Sequence, residues 1–247
     1  MFFVFNKRKI NSYLISIGTV IVLFTISMIA NNGINNVIAT SAKSVKSNLI
    51  YKVETQRKKV AISINCSENA ENISGIIDSL SKMKAKATFY ITGEWAQKYP
   101  DEVKKIINNG NEIGNLSYHY TNLKKKKKEE IREEISKCTE QIEKITNKKI
   151  TTFRAPYGEI DNTIVEEAKA QNLLTVQWNI DSLDYNGLNS EEMCGRINDG
   201  LMPGSIILLH NTGKYTNNSI EDIIHNLQQQ QYEVCTVSEL ISFQDEN

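Results

Sequence analysis

From Val60 onward the chain alternates between two apolar patterns. Short runs rich in β-branched and aromatic residues, at 60–64, 87–91, 150–153, 174–180, 205–209 and 232–237, predict strands, with a weaker one at 112–116. Between them the apolar positions recur at helical spacing. Ile73, Ile76, Ile77, Leu80 and Met83 form one stripe. Val103, Ile106 and Ile107 form another, closed by the helix-stopping pair Asn109-Gly110. Ile131, Ile135, Cys138, Ile142 and Ile145 predict a long amphipathic helix. Ile164, Val165 and Ala168 follow. Ile220, Ile223, Ile224 and Leu227 close the series, with Ser219 and Asp222 as a capping pair. Strand–helix alternation predicts an α/β fold with a parallel sheet, either a small barrel or an open doubly wound sheet. In both, functional side chains gather just after the strands.

The N-terminal part follows a different rule. No charged residue occurs between Ile10 and Ala42, and residues 14–30 are almost wholly apolar. About 20 apolar residues span a bilayer, and Lys7, Arg8 and Lys9 precede the run. The positive-inside rule keeps that end in the cytoplasm and exports the rest. The expected organisation is a basic tail (1–9), a transmembrane anchor or signal segment (10–30), a polar stalk (31–57) and a domain from 58 to 247. Ala39, Ser41 and Ala42 would suit a signal peptidase, so a cleaved, secreted form is the alternative to single-pass anchoring.

Composition narrows the function classes. Among 247 residues, 29 basic and 29 acidic side chains cancel, which gives no support for nucleic-acid binding. The five lysines 124–128 are neutralised at once by Glu129, Glu130, Glu133 and Glu134, which predicts a solvated surface. Cys66, Cys138, Cys194 and Cys235 lack CxxC spacing. Three of them fall at apolar positions, so free buried thiols are expected. His225 follows an apolar pair on the last predicted helix, which predicts a boundary position.

Five segments follow strands and carry chemistry-bearing residues: 63–67 (SINCS), 116–120 (LSYHY), 154–158 (RAPYG), 181–185 (DSLDY) and 208–210 (LLH). With the runs VAISI, KATFYITGEWA, NGNEIGN, FRAPYG, QWNIDSLDY and GSIILLHN, they resemble the NodB-type polysaccharide deacetylases, carbohydrate esterase family four, nearest the PdaB-like sporulation branch. The resemblance covers roughly residues 58–241. It implies a distorted (β/α) barrel of parallel strands and hydrolysis of carbon–nitrogen bonds in N-acetylated glycan, peptidoglycan or spore cortex.

The family chemistry needs a divalent metal on one Asp and two His to activate water, an Asp base, and a His acid. The resemblance assigns His210 to the general acid, Asp184 to its tuning aspartate and Arg154 to the base-orienting arginine. Tyr157, Pro156, Tyr185 and Leu208 are assigned to the substrate groove. The base position is Asn65, which cannot accept a proton as a base. The metal positions are Cys66, Leu116 and Tyr120, so no metal cofactor is expected, and weak or lost activity follows. His119 is one residue out of register with the lost ligand. Two alternatives stay open. One is a rebuilt Zn, Co or Mn site drawing on Cys66, Glu68, His119 and His210. The other is a membrane-tethered scaffold recruiting a partner through the long helix at 124–148.

Overall fold

The computed structural model describes residues 48–244. The predicted basic tail and apolar segment lie outside them. Among the described residues no helix is long and apolar enough to cross a membrane.

Among these residues nine strands form one sheet: β1 (Leu49–Ile50), β2 (Lys59–Cys66), β3 (Ala87–Ile91), β4 (Glu112–Asn115), β5 (Thr152–Phe153), β6 (Leu174–Val176), β7 (Ile180–Asp181), β8 (Ile206–His210) and β9 (Glu233–Cys235). Their order is β1-β6-β5-β4-β3-β2-β8-β7, with β9 pairing the start of β2. Every pair of named strands is parallel. Only three residues separate β6 from β7, a span of at most ~14 Å, yet they pair towards opposite ends of this order. The sheet must therefore curl until its edges meet. The lower seam is closed by β1 and by the antiparallel bridge from Lys52 to Ser205. The upper seam is closed by β7, with Asn179 exchanging bonds with Ile206. The predicted single strand at 174–180 is thus two strands, interrupted where the chain crosses the seam.

Eight α-helices accompany the strands in the described residues: α1 (Ile73–Lys82), α2 (Gly93–Lys98), α3 (Pro100–Asn108), α4 (Lys128–Thr146), α5 (Asn162–Ala170), α6 (Ser190–Gly200), α7 (Thr216–Gln229) and α8 (Val237–Ile241). The outer core lies between sheet and helices. From α1 it takes Ile73, Ile76, Ile77 and Leu80, all fully buried or nearly so. Each such side chain contributes about 1.5–3 kcal/mol, so this stripe is worth at most on the order of 10 kcal/mol against an extended chain. The inner core is smaller: Val53, Ala61, Tyr90, Leu116, Val176, Ile206, Cys235, Val237 and Leu240. α8 plugs the barrel bottom, where the Glu112 carboxylate accepts from the Ser238 backbone N–H at 3.0 Å.

Two expectations change here, and three helices have no counterpart among the predicted ones. Residues 48–57, assigned from sequence to the stalk, are built into the barrel through β1 and the buried Val53. Ser219 lies inside α7, so it does not cap it with Asp222; Asp222 instead accepts from Ser190 on α6 at 2.5 Å. The helices α2, α6 and α8 carry too few apolar residues for a periodic stripe. The lysine run is largely exposed, as expected, but of its bridges only Lys126–Glu134 uses the predicted acidic cluster; Lys124 and Lys128 pair with the distant Glu159 and Glu167.

Candidate active site

The chemistry-bearing residues converge at the C-terminal ends of β2, β4, β5, β7 and β8, on one end of the barrel. Their centre is Arg154, which follows β5 and is wholly buried. Its Nε donates to the Val176 carbonyl at 3.2 Å and its Nη1 to Asn65 Oδ1 at 3.1 Å. Its Nη2 donates to Ser63 Oγ at 2.9 Å and to the Gln177 carbonyl at 3.0 Å. The guanidinium lies 4.0 Å from the Tyr90 ring centre and 5.3 Å from that of Trp178. All four acceptors are neutral. Burial pulls the Arg154 pKa down to about 10. Arg154 forms no ion pair with Asp181 or Asp184; both aspartates bond elsewhere.

Asp184 is fully buried behind His210. Its Oδ1 meets His210 Nδ1 at 2.9 Å, while Oδ2 accepts from the His210 backbone N–H and the Thr216 hydroxyl, each at 2.6 Å. The turn depends on Gly213, because a Cβ there would sit 2.1 Å from Thr216 Oγ1 and 2.8 Å from Asp184 Oδ2. A carboxylate on Nδ1 fixes the tautomer and leaves Nε2 for proton exchange. His210 Nε2 has no partner among the described residues, and the side chain is 18% exposed. This half of the site can deliver a proton to a leaving group.

The other half is rebuilt. Cys66 lies on the face of β2 opposite Asn65, because adjacent strand residues alternate; it packs in the outer core with Ile64 and Ile73. Burial pushes its thiol pKa strongly up, which disfavours the thiolate a metal needs. Leu116 belongs to the inner core and offers no donor atom. The Tyr120 phenol faces Asn65 and Arg154, and burial raises its pKa. His119 turns to α4, with Nδ1 2.9 Å from Glu134 Oε1. Glu134 also accepts from the Ser117 hydroxyl and the His119 backbone N–H. Burial alone would raise the Glu134 pKa, but these bonds outweigh it and hold the carboxyl below its usual range. Glu68 is exposed. The parts available for a rebuilt metal site are therefore scattered, and no group of three or more His, Cys, Asp or Glu suited to a metal occurs among the described residues. The donor set does not fit the metal that the family chemistry uses.

The groove residues divide by exposure. Tyr157 and Tyr185 are 57% and 53% exposed. Tyr157 holds a left-handed backbone (φ 60°), and its hydroxyl donates to the Tyr120 carbonyl at 3.1 Å. Its ring lies 4.5 Å from that of Tyr120. Tyr185 donates to Asp181 Oδ2 at 3.1 Å and stands edge-on to His210 at 5.2 Å. Pro156 is buried and Leu208 is only 2% exposed, so these two shape the floor and provide no contact wall. Ser63, from the 63–67 segment, completes the site together with Tyr90, Trp178, Thr216 and Glu134, which were not singled out by their sequence pattern. For Tyr90 and Trp178 the available signal was their place within the KATFYITGEWA and QWNIDSLDY runs.

The fold and site together define a partly closed parallel α/β barrel that carries an Asp–His pair and a buried arginine at its strand ends. The chain belongs to the polysaccharide deacetylase family, whose pattern it matches over residues 52–176. It is 34% identical over 166 residues to a peptidoglycan-N-acetylglucosamine deacetylase of Bacillus cereus, covering 67% of this chain and 60% of that protein. It is 30% identical over 188 residues to the peptidoglycan-N-acetylmuramic acid deacetylase PdaC of Bacillus subtilis, covering 76% and 40%. The chain thus spans less than two thirds of either relative. The crystal structure of a family-four pseudoenzyme from Bacillus anthracis superposes with a TM-score of 0.76 at 30% identity, covering 78% of this chain and 68% of that one. A mutant of that pseudoenzyme has restored enzymatic activity.

Proposed function

We propose that this protein binds N-acetylated glycan of the peptidoglycan type at the cell envelope or spore, with deacetylase turnover lost or reduced to a trace. Its N-terminal apolar segment (10–30) holds the barrel on the extracytoplasmic side. One observation carries this reading. The proton-donating half, Asp184 with His210, is intact, whereas the base position is filled by the amide of Asn65, bonded to Arg154 and unable to take up a proton. Without a metal-bound water or a base, the nucleophile stays near its bulk acidity, which removes many orders of magnitude in rate. Tyr157 and Tyr185 remain available to pack against sugar rings. The peptidoglycan specificity in the names of the relatives supports the glycan class.

The test is acetate release from N-acetylated peptidoglycan fragments and chitooligosaccharides by the full chain in detergent, with Zn, Co or Mn supplied, beside His210→Ala. The expected result is no release by either protein, with fragment binding detectable by titration. Release that disappears in the His210 variant would establish a rebuilt catalytic site and overturn the reading.

A further inference from the structure

The two ends of the barrel differ in surface chemistry. All named strand pairs are parallel, so the loops that lead into the strands share one end and the groove occupies the other. The loops entering β2, β3 and β5 each bring two cations to the strand-entry end: Arg57 and Lys58, Lys84 and Lys86, Lys148 and Lys149. Five of these are exposed, and Lys86 is half-buried. None of them forms an ion pair among the described residues. Lys58 and Lys86 donate to the carbonyls of Gln230 and Asn109, in the loops entering β9 and β4, which ties these loops into one face. The carboxylates at this end are engaged elsewhere. Glu54 pairs with Lys52, and Glu233 and Glu239 pair with Lys59. Glu112 and Glu143 accept from the backbone N–H groups of Ser238 and Ile150. Lysines in a last helical turn would offset the helix dipole, but these six cations lie outside the helices.

A second observation falls at the same end. Among the described residues the exposed large apolar and aromatic side chains divide between the two ends. Tyr157 and Tyr185 stand at the groove, whereas Tyr51 and Met202, 47% and 40% exposed, lie at the lower seam. There Lys52 Nζ reaches Met202 Sδ at 3.5 Å. Apolar bodies beside lysine heads suit a membrane–water boundary. The sequence leading into β1 carries Lys43 and Lys46, and no carboxylate precedes Glu54. We propose that the strand-entry end of the barrel docks on the anionic phospholipid headgroups of the membrane that anchors the chain. This rests on the reading of residues 10–30 as a membrane anchor. The loop cations meet the lipid phosphates, and Tyr51 and Met202 enter the headgroup layer. β2, which runs from this end to the groove, has 8 residues, so the groove stands about 26 Å above the headgroups and opens away from them.

The experiment is lysine acetylation, read by mass spectrometry, on the full chain reconstituted in lipid nanodiscs. One set of discs contains phosphatidylglycerol with phosphatidylcholine, the other phosphatidylcholine alone. Lys58, Lys84, Lys148 and Lys149 should react at least about fivefold more slowly in the anionic discs, the partition factor that one surface cation supplies. Lys124 and Lys214, at the groove end, should react equally in both. Salt at about 1 M, where the screening length is about 3 Å, should remove the difference. In the triple variant Lys84→Glu, Lys148→Glu, Lys149→Glu the protection of Lys58 should fall severalfold, and the salt series covers the case in which that variant does not fold. Equal labelling in the two kinds of disc overturns the docking and leaves the anchor intact. A chain that enters neither kind of disc overturns the anchor reading and the docking with it. Protection by soluble poly(glycerol phosphate) but not by anionic discs overturns lipid as the partner in favour of a wall polymer.

Discussion

Replacing Asn65 by Asp tests the electrostatics of the barrel floor directly. Asn65 Oδ1 lies 3.1 Å from Arg154 Nη1, so a carboxylate oxygen would take the same place. Two unit charges ~4 Å apart attract by about 4 kcal/mol at an effective dielectric of ~20. Against this stands the desolvation of the carboxylate, several kcal/mol for a buried ion. The desolvation of Arg154 is common to both proteins, since the guanidinium is buried in either. A charge-assisted bond also exceeds a neutral one, at about 1.5–3 kcal/mol against about 1. The net expectation for Asn65→Asp is a gain of about 1–2 kcal/mol at pH 7, or roughly 2–8 °C in Tm for a domain of this size. The sign with pH follows from linkage. The introduced carboxyl has a folded pKa below its unfolded value, so the gain is full above the unfolded pKa of about 3.9 and is lost as pH falls through the folded pKa. Urea unfolding of both proteins between pH 2 and 8 measures it. A variant less stable than the parent at pH 7, or a gain unchanged down to pH 2, would refute the placement of an uncompensated cation beside Asn65. On the proposed reading Asn65→Asp alone should release no acetate, because Leu116 and Tyr120 still occupy the positions that the resemblance gives to metal ligands.

Two other outcomes can be checked on the same protein. Glu134→Gln weakens the bonds that fasten the Ser117–Tyr120 loop to α4 and should cost about 1–2 kcal/mol in denaturant unfolding at pH 7. Because the Glu134 carboxyl is held below its usual range, that difference should persist above pH ~4.5 and shrink as pH falls through the depressed value. All four cysteines are free, and Cys66, Cys138 and Cys235 are buried, so a thiol reagent should modify at most Cys194 quickly in the native protein and all four after denaturation. Rapid native labelling of two or more thiols would contradict the described packing.

Most of the barrel was legible because β2, β3 and β8 are short runs dominated by β-branched, aromatic and other apolar residues and the stripes of α1 and α4 repeat at helical spacing. What escaped notice had a physical reason. β1 has two residues, and its pairing depends on a partner more than 120 positions away. The break between β6 and β7 arises from closure of the seam, which local pattern does not encode. At the site, His210, Asp184, Arg154 and Asn65 converge as the motifs imply, but the sequence could not say what Arg154 bonds. Cys66 was decipherable: it continues the outward series Val60, Ile62, Ile64, and so had to face away from Asn65. Glu134 was decipherable too. It lies three residues after Ile131 and four before Cys138, on the buried stripe of α4, although its acidic neighbours make it look like surface.

The long strand β2 also bears on the order of events during synthesis. One of its edges pairs with β3, which follows within about 25 residues, but the other waits for β8 and β9. Ser63 and its acceptor Ile207 stand 144 positions apart. At roughly 5–20 residues per second, that edge is open for about 7–30 seconds after it leaves the ribosome. During that interval the nascent chain displays an unpaired apolar strand, the kind of surface that seeds misassembly, so a premature stop anywhere before residue 206 leaves this edge permanently exposed.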